Sequence, residues 1–162
     1  ISGQKLESDF DFFFKTQKDL NSFKVDLLNN DNIRVNQINE SEHNTSYKVE
    51  VSLMPSVYVK TTFQLISINY YNSLEDVLGS FDYTICQFGI DGGKLVCGDA
   101  SLWDLGRKRL AVNKITYPVA SLRRLLKYTN QGYYACQGTL FALLNSVKDN
   151  PEILENKIAY ID

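Results

Sequence analysis

"SDFDFFF", Ser8 to Phe14, sets two aspartates one residue apart inside a run that holds four phenylalanines. A carboxylate taken into a buried strand is costly unless it is paired or bound to a cation. Period-two alternation puts Asp9, Asp11 and Phe13 on one face and Phe10, Phe12 and Phe14 on the other. The two acids then point the same way, with Cα atoms roughly 6.5–7 Å apart at the usual strand rise. The stretch therefore predicts a strand over Ser8–Phe14, with Phe10 and Phe12 buried. Asp9 and Asp11 stand open in a common cleft, spaced to hold a divalent cation.

Working outward, Thr16 with Asp19 three residues on has the form of a capping box and opens a helix through Lys24. Asn29–Asn44 is rich in Asn, Asp and Glu and reads as a turn or an excursion. Tyr47–Leu53, Val57–Thr62 and Phe63–Asn69 are strand candidates, rich in β-branched and aromatic residues. Ser73-Leu-Glu-Asp76 opens a short helix that Gly79 ends. Phe81–Ile90 and Lys94–Cys97, joined by Asp91-Gly92-Gly93, read as a hairpin. From Pro118 the pattern is helical as far as Gly132, and a second helix covers Thr139–Val147. Strands first and helices after predict an α+β fold. The division expected is an α+β domain over 1–115 and a helical extension over 116–162 packed on it.

Composition fits a globular chain: 162 residues, 44% hydrophobic and 22% charged, with no apolar run near the roughly 20 residues a membrane-spanning helix needs. No membrane partner is expected. Cys86, Cys97 and Cys136 are odd in number and share no metal-ligand spacing, so they read as reduced, in a cytoplasmic setting. The net charge of −2 hides an asymmetry. Between Leu105 and Lys148 there are eight Lys and Arg and no acid, which leaves nine basic against 19 acidic residues, a formal −10, in the rest. Such a basic block suits an anionic ligand.

Three stretches taken together resemble the nucleotidyltransferase superfamily, in particular the head domain of the poly(A) polymerase and CCA-adding branch. Ser2-Gly3 precedes Asp9-Phe10-Asp11 as a glycine turn precedes an Asp-x-Asp strand there. "FDYTICQFGIDGGKLVCGDASLWDLGRKRL" (Phe81–Leu110) is similar to the branch's Arg-Arg-Asp-Phe-Thr segment and the acidic-glycine turn after it, with Phe81 where the last arginine stands. "YPVASLRRLLKYTNQGYY" (Tyr117–Tyr134) resembles the helix that follows, whose arginines line the nucleotide side. The resemblance implies a nucleotidyltransferase-like mixed sheet with flanking helices. It also implies Mg²⁺-dependent transfer of a nucleotide from an NTP to a hydroxyl on an RNA end, a protein or a small molecule. Asp9 and Asp11 would hold two Mg²⁺ ions, and Ser2 and Gly3 would cradle the triphosphate. A third carboxylate would come from Glu50 or Asp82, since Gln64 stands where many relatives place an acid.

The chemistry agrees with the residue types. Two-metal transfer uses ions roughly 3.5–4 Å apart, and Mg²⁺ prefers carboxylate oxygens. On a helix over 119–128, Arg123, Arg124 and Lys127 share one face and Leu122, Leu125 and Leu126 lie towards the other. That basic face is the expected triphosphate contact. His43, the sole histidine, lies in a polar stretch without a nucleophile partner, and Trp103 and the tyrosines read as packing residues. Two alternatives go with these features: a degenerate nucleotidyltransferase fold serving as a binding or assembly module, and an antitoxin-like enzyme that modifies a partner protein.

Overall fold

The computed structural model describes residues 9–55 and 57–149. Ser2, Gly3 and Ser8 lie outside the described residues. The chain is α+β and divides into two compact units between Ser73 and Leu74. The boundary expected at 115/116 falls inside the second unit, whose core draws side chains from both sides of it.

The first unit is a four-stranded mixed sheet with one helix on it. Its strands are β1 (Phe10–Phe12), β2 (Ile33–Glu40), β3 (Asn44–Met54) and β4 (Val57–Ile66), in the order β1-β4-β3-β2. β1 runs parallel to β4, and the other neighbours are antiparallel. α1 (Gln17–Leu28) begins at Thr16, whose Oγ1 accepts from the Asp19 N–H and donates to the Asp19 carboxylate at 2.7 Å. Leu20, Phe23 and Leu27 recur at i, i+3 and i+7 on one side of α1, with Leu20 and Leu27 buried. Tyr47 and Val49 of β3 and Leu65 of β4 meet Leu27 in the core, with Phe12, Phe14 and Phe23 packed around them. Alternation along β3 and β4 sends Ser46, Lys48, Gln64 and Lys60 to the opposite, polar face.

Three sequence expectations change here. Asn29–Asn44 is not an excursion: β2 occupies half of it as an edge strand, with Ile33 and Val35 facing the core and the remainder exposed, Ile38 included. The strand candidates on either side of Thr62/Phe63 are the single strand β4, because β3 pairs along its whole length. β1 is shorter than Ser8–Phe14, and Phe10 is 49% exposed at the sheet edge, where its ring meets Phe63 edge to face.

The second unit contains α2 (Leu74–Gly79), a 3-10 turn (Thr84–Cys86), the hairpin β5 (Phe88–Asp91) and β6 (Lys94–Cys97), α3 (Ser101–Gly106), β7 (Arg109–Leu110), α4 (Pro118–Asn130), β8 (Tyr134–Ala135) and α5 (Gln137–Lys148). Its core is Tyr83, Ile85, Leu110, Leu125 and Leu143, each contributing about 1.5–3 kcal/mol by its burial. Gly92 and Gly93 turn the hairpin at φ +53° and +78°, the left-handed pair that a tight two-residue turn requires. Phe81–Ile90 is not one strand. Tyr83 and Ile85 are both buried and Thr84 is hydrogen-bonded to Asp104, so three successive side chains are held inside, which a one-sided strand cannot do.

Candidate functional site

Asp11 lies directly across from Gln64 in the parallel β1–β4 register, and Gln64 across from Ser46 in the antiparallel β4–β3 register. Paired positions share a face, so Asp11, Gln64 and Ser46 form one row on the polar side of the sheet. Gln64 Nε2 donates to Asp9 Oδ2 at 2.7 Å, which puts Asp9 on the same side. Asp9 and Asp11 are both exposed. Register and this hydrogen bond put the two carboxylates at one sheet edge, on the same face. What the sheet adds is the neutral amide beside them.

Glu50 does not join that row. It pairs with Lys60 at 3.1 Å and stands across from Arg34 on β2. Lys60 precedes Gln64 by four positions on β4, which is about 13 Å at the strand rise. The hydrogen bond from the Lys60 ammonium is the largest effect on the Glu50 carboxyl; burial opposes it, and the Lys60 charge, with Asn36 and Arg34, adds to it, so the carboxyl is held below the usual range. Glu50 is thus an ion-pair residue and not a third ligand beside Asp9 and Asp11. Among the described residues no three His, Cys, Asp or Glu side chains converge as a metal-ligand set. The hard oxygen donors of Asp9 and Asp11 nevertheless suit one Mg²⁺, which binds through one or two carboxylates and keeps waters or phosphates on its remaining positions.

Asp82 belongs to the second unit, where it is buried and engaged. It accepts from Ser121 Oγ at 2.9 Å and from Arg124 Nη1, while the Tyr83 hydroxyl donates to the Ser121 carbonyl at 2.7 Å. Burial first, and the Asp82 carboxylate second, push the Tyr83 phenol up to about 12, with Arg124 pulling against them. Arg124 is therefore the counter-ion of a buried acid, with half of its side chain still in water. Arg123 and Lys127 are exposed on α4, and Lys127 stands 5.9 Å from the Tyr128 ring centroid. The helix turns differently from the expectation. Its inward stripe is Pro118, Ser121, Leu125 and the half-buried Tyr128, whereas Leu122 and Leu126 are 45% and 58% exposed. A small hydroxyl amid a stripe of core positions was the one sequence signal for the Asp82 network.

Other basic residues are locally engaged. The Arg107 guanidinium stacks 3.8 Å from the ring centre of Trp103, which is exposed and not a packing residue. Arg109 lies 3.7 Å from Asp104, a buried carboxylate that also accepts from Thr84 Oγ1 at 2.6 Å. A cavity of about 380 Å³ in the second unit is lined by Glu75, Thr84, Gln87, Asp99 and Asn113 among others, with no Lys or Arg in its wall. Two carboxylates and no cation make it unsuited to a triphosphate. His43 is exposed at the β2–β3 turn. Among the described residues no helix is long and apolar enough to cross a membrane.

The family model of Gabija anti-defense 2 proteins (Gad2) matches residues 1–108 of the chain. No curated protein was found to match.

Proposed function

Because the chain belongs to the Gabija anti-defense 2 family, we propose that it acts against the Gabija defence, and that it does so by moving a nucleotide from an NTP onto a protein hydroxyl of that system. The observation that carries this reading is the pair Asp9 and Asp11 on one open face of the sheet, beside Gln64. Asp9 and Asp11 are the residues that would hold Mg²⁺. Bound there, the ion would ease deprotonation of the attacking hydroxyl and offset charge on the departing pyrophosphate. The acceptor oxygen attacks the α-phosphorus, the bond from that phosphorus to the bridging oxygen breaks, pyrophosphate leaves, and the hydroxyl proton passes to solvent. A protein acceptor suits a chain of net charge −2 better than an RNA backbone, whose binding is driven by phosphate neutralisation. Arg123, Arg124 and Lys127 belong to the second unit, where Arg124 is engaged by Asp82, and the reading does not draw on them.

The test is labelling. The full chain is incubated with Mg²⁺ and each α-phosphate-labelled NTP in turn, in an extract that contains the Gabija components. One NTP should label a protein band, and Asp9→Asn and Asp11→Asn should remove the label while leaving the circular dichroism unchanged. Labelling that survives in the double mutant, or none with any NTP, defeats the reading. A second reading, blockade by binding without transfer, is favoured by the neutral Gln64 where a third acid would stand. It predicts no label and undiminished protection against the defence in both Asn variants.

A further inference from the structure

We propose that the cavity of about 380 Å³ between α2, the end of β6 and the start of α3 binds an organic cation, a guanidinium or ammonium group on a short carbon stem. It lies wholly in the second unit and owes nothing to the Asp9/Asp11 face. Gln87 decides its chemistry. The side chain is 7% exposed, and its Nε2 donates to the Leu78 carbonyl at 2.9 Å. A carbonyl only accepts, so this bond fixes which way the amide faces. Oε1 is left without a donor, against Gly98, where a Cβ would lie only 2.5 Å from it. Among the described residues, the polar side-chain atoms sealed from solvent without a partner are Ser101 Oγ and Asp104 Oδ1. Oε1 is not one of them, so its free surface opens on the cavity that Gln87 and Gly98 both line. The other polar side chains of the wall also present oxygen. Asn113 gives both amide hydrogens to the Gly79 and Phe81 carbonyls, at 3.1 and 2.8 Å, and keeps Oδ1. Thr84 gives its hydroxyl proton to Asp104 at 2.6 Å. Glu75 and Asp99 add two exposed carboxylates against no Lys or Arg, a formal charge of −2. A buried acceptor without a donor is a standing cost that an entering N–H removes. Acids around a concave wall draw positive charge to it. Leu78, Val96 and Ala100 complete the wall and suit a carbon stem. A bare divalent ion fits less well, because it takes about six close oxygens and gains nothing from that apolar side.

The experiment titrates n-butylguanidinium, n-butylammonium, n-butanol and calcium, each alone, into the full chain at constant ionic strength, followed by two-dimensional amide NMR. Butylguanidinium should bind saturably and shift the amides of Gln87, Gly98 and Asn113. Guanidinium carries five N–H donors against three on ammonium, so butylammonium should bind severalfold more weakly. Butanol should not saturate. Glu75→Gln combined with Asp99→Asn, at two exposed positions, should weaken butylguanidinium about tenfold and leave the melting temperature near that of wild type. Gly98→Ala sets a methyl against Gln87 Oε1 and should weaken binding severalfold. Where that variant melts early, the double variant decides. An acetylated Gly-Arg-Gly amide distinguishes the sources of the cation. Binding equal to that of butylguanidinium assigns the cavity to a side chain of another protein, and binding lost in the peptide assigns it to a free small cation. No saturable shift with either cation, butanol that binds as well as butylguanidinium, calcium that saturates these amides where butylguanidinium does not, or unchanged affinity in the double variant overturns the inference.

Discussion

Asp82 and Arg124 look on paper like members of a catalytic set, an acid in a strand-like segment and an arginine on a basic helix. In the folded chain they are each other's partner. Asp82 is 9% exposed and Arg124 49%, so the acid bears most of the cost of desolvation and the guanidinium is the group that offsets it. Removing the arginine leaves a buried carboxylate with only the Ser121 hydroxyl. Arg124→Ala is expected to destabilise the protein by about 2 kcal/mol, less than the ~3–5 kcal/mol of a wholly buried pair because water shares the guanidinium's load. Asp82→Asn should cost about 1 kcal/mol, since an amide still accepts from Ser121 and Arg124 can turn to solvent. Urea unfolding of the two variants measures both. A loss below about 0.5 kcal/mol for Arg124→Ala would mean that the ion pair does not hold the fold. At this scale the sequence was readable where periodicity fixes a direction, as for Asp9 and Asp11. It was silent where the partner lies far along the chain, as for Glu50 with Lys60 and for Asp82 with Ser121.

Elements were legible in kind more than in extent. Thr16 marked the start of α1, and Asp91-Gly92-Gly93 marked the hairpin, because capping and left-handed turns are local chemistry. β2 was not legible, because the alternation begun by Ile33 and Val35 stops at the register shift between Val35 and Gln37, and the rest of this edge strand faces water. Its strand character comes from pairing with β3, register by register. α4 shows the same limit within a helix. Three leucines at 122, 125 and 126 define an apolar side only loosely, and the inward stripe settled on Leu125, the one of the three that meets Tyr83 and Leu143 in the core. Leu125→Ala is therefore expected to cost about 2–4 kcal/mol, while Leu122→Ala should stay within about 0.5 kcal/mol. Thermal or denaturant unfolding of the two variants side by side checks the assignment. Equal losses would show that the helix presents both residues to the core.

For the whole molecule, the order of strands before helices pointed to the α+β class but put the division of the chain in the wrong place. The strand-like run after Phe81 supplies Tyr83 and Ile85 to a core completed by Leu110, Leu125 and Leu143. No pattern in a single sequence says that an apolar run will pack among helices that come forty residues later. The other core, built on Leu27, Tyr47, Val49 and Leu65, draws only on residues before Ser73. The two cores share no side chain, so each should report its own losses. Leu65 and Leu110 are both fully buried, and truncating either to alanine removes about 2–5 kcal/mol of local stability. In hydrogen-exchange mass spectrometry of the full chain, Leu65→Ala should raise exchange in peptides from 9–73 and leave those from 74–149 near wild-type rates. Leu110→Ala should do the reverse. Were either substitution to raise exchange equally throughout, the chain would be one cooperative unit, and loss of the Asp9/Asp11 face could then follow from damage to the core around Leu110. With protection lost unit by unit, any effect of the Asp9→Asn and Asp11→Asn variants on labelling can be assigned to the sheet that bears them.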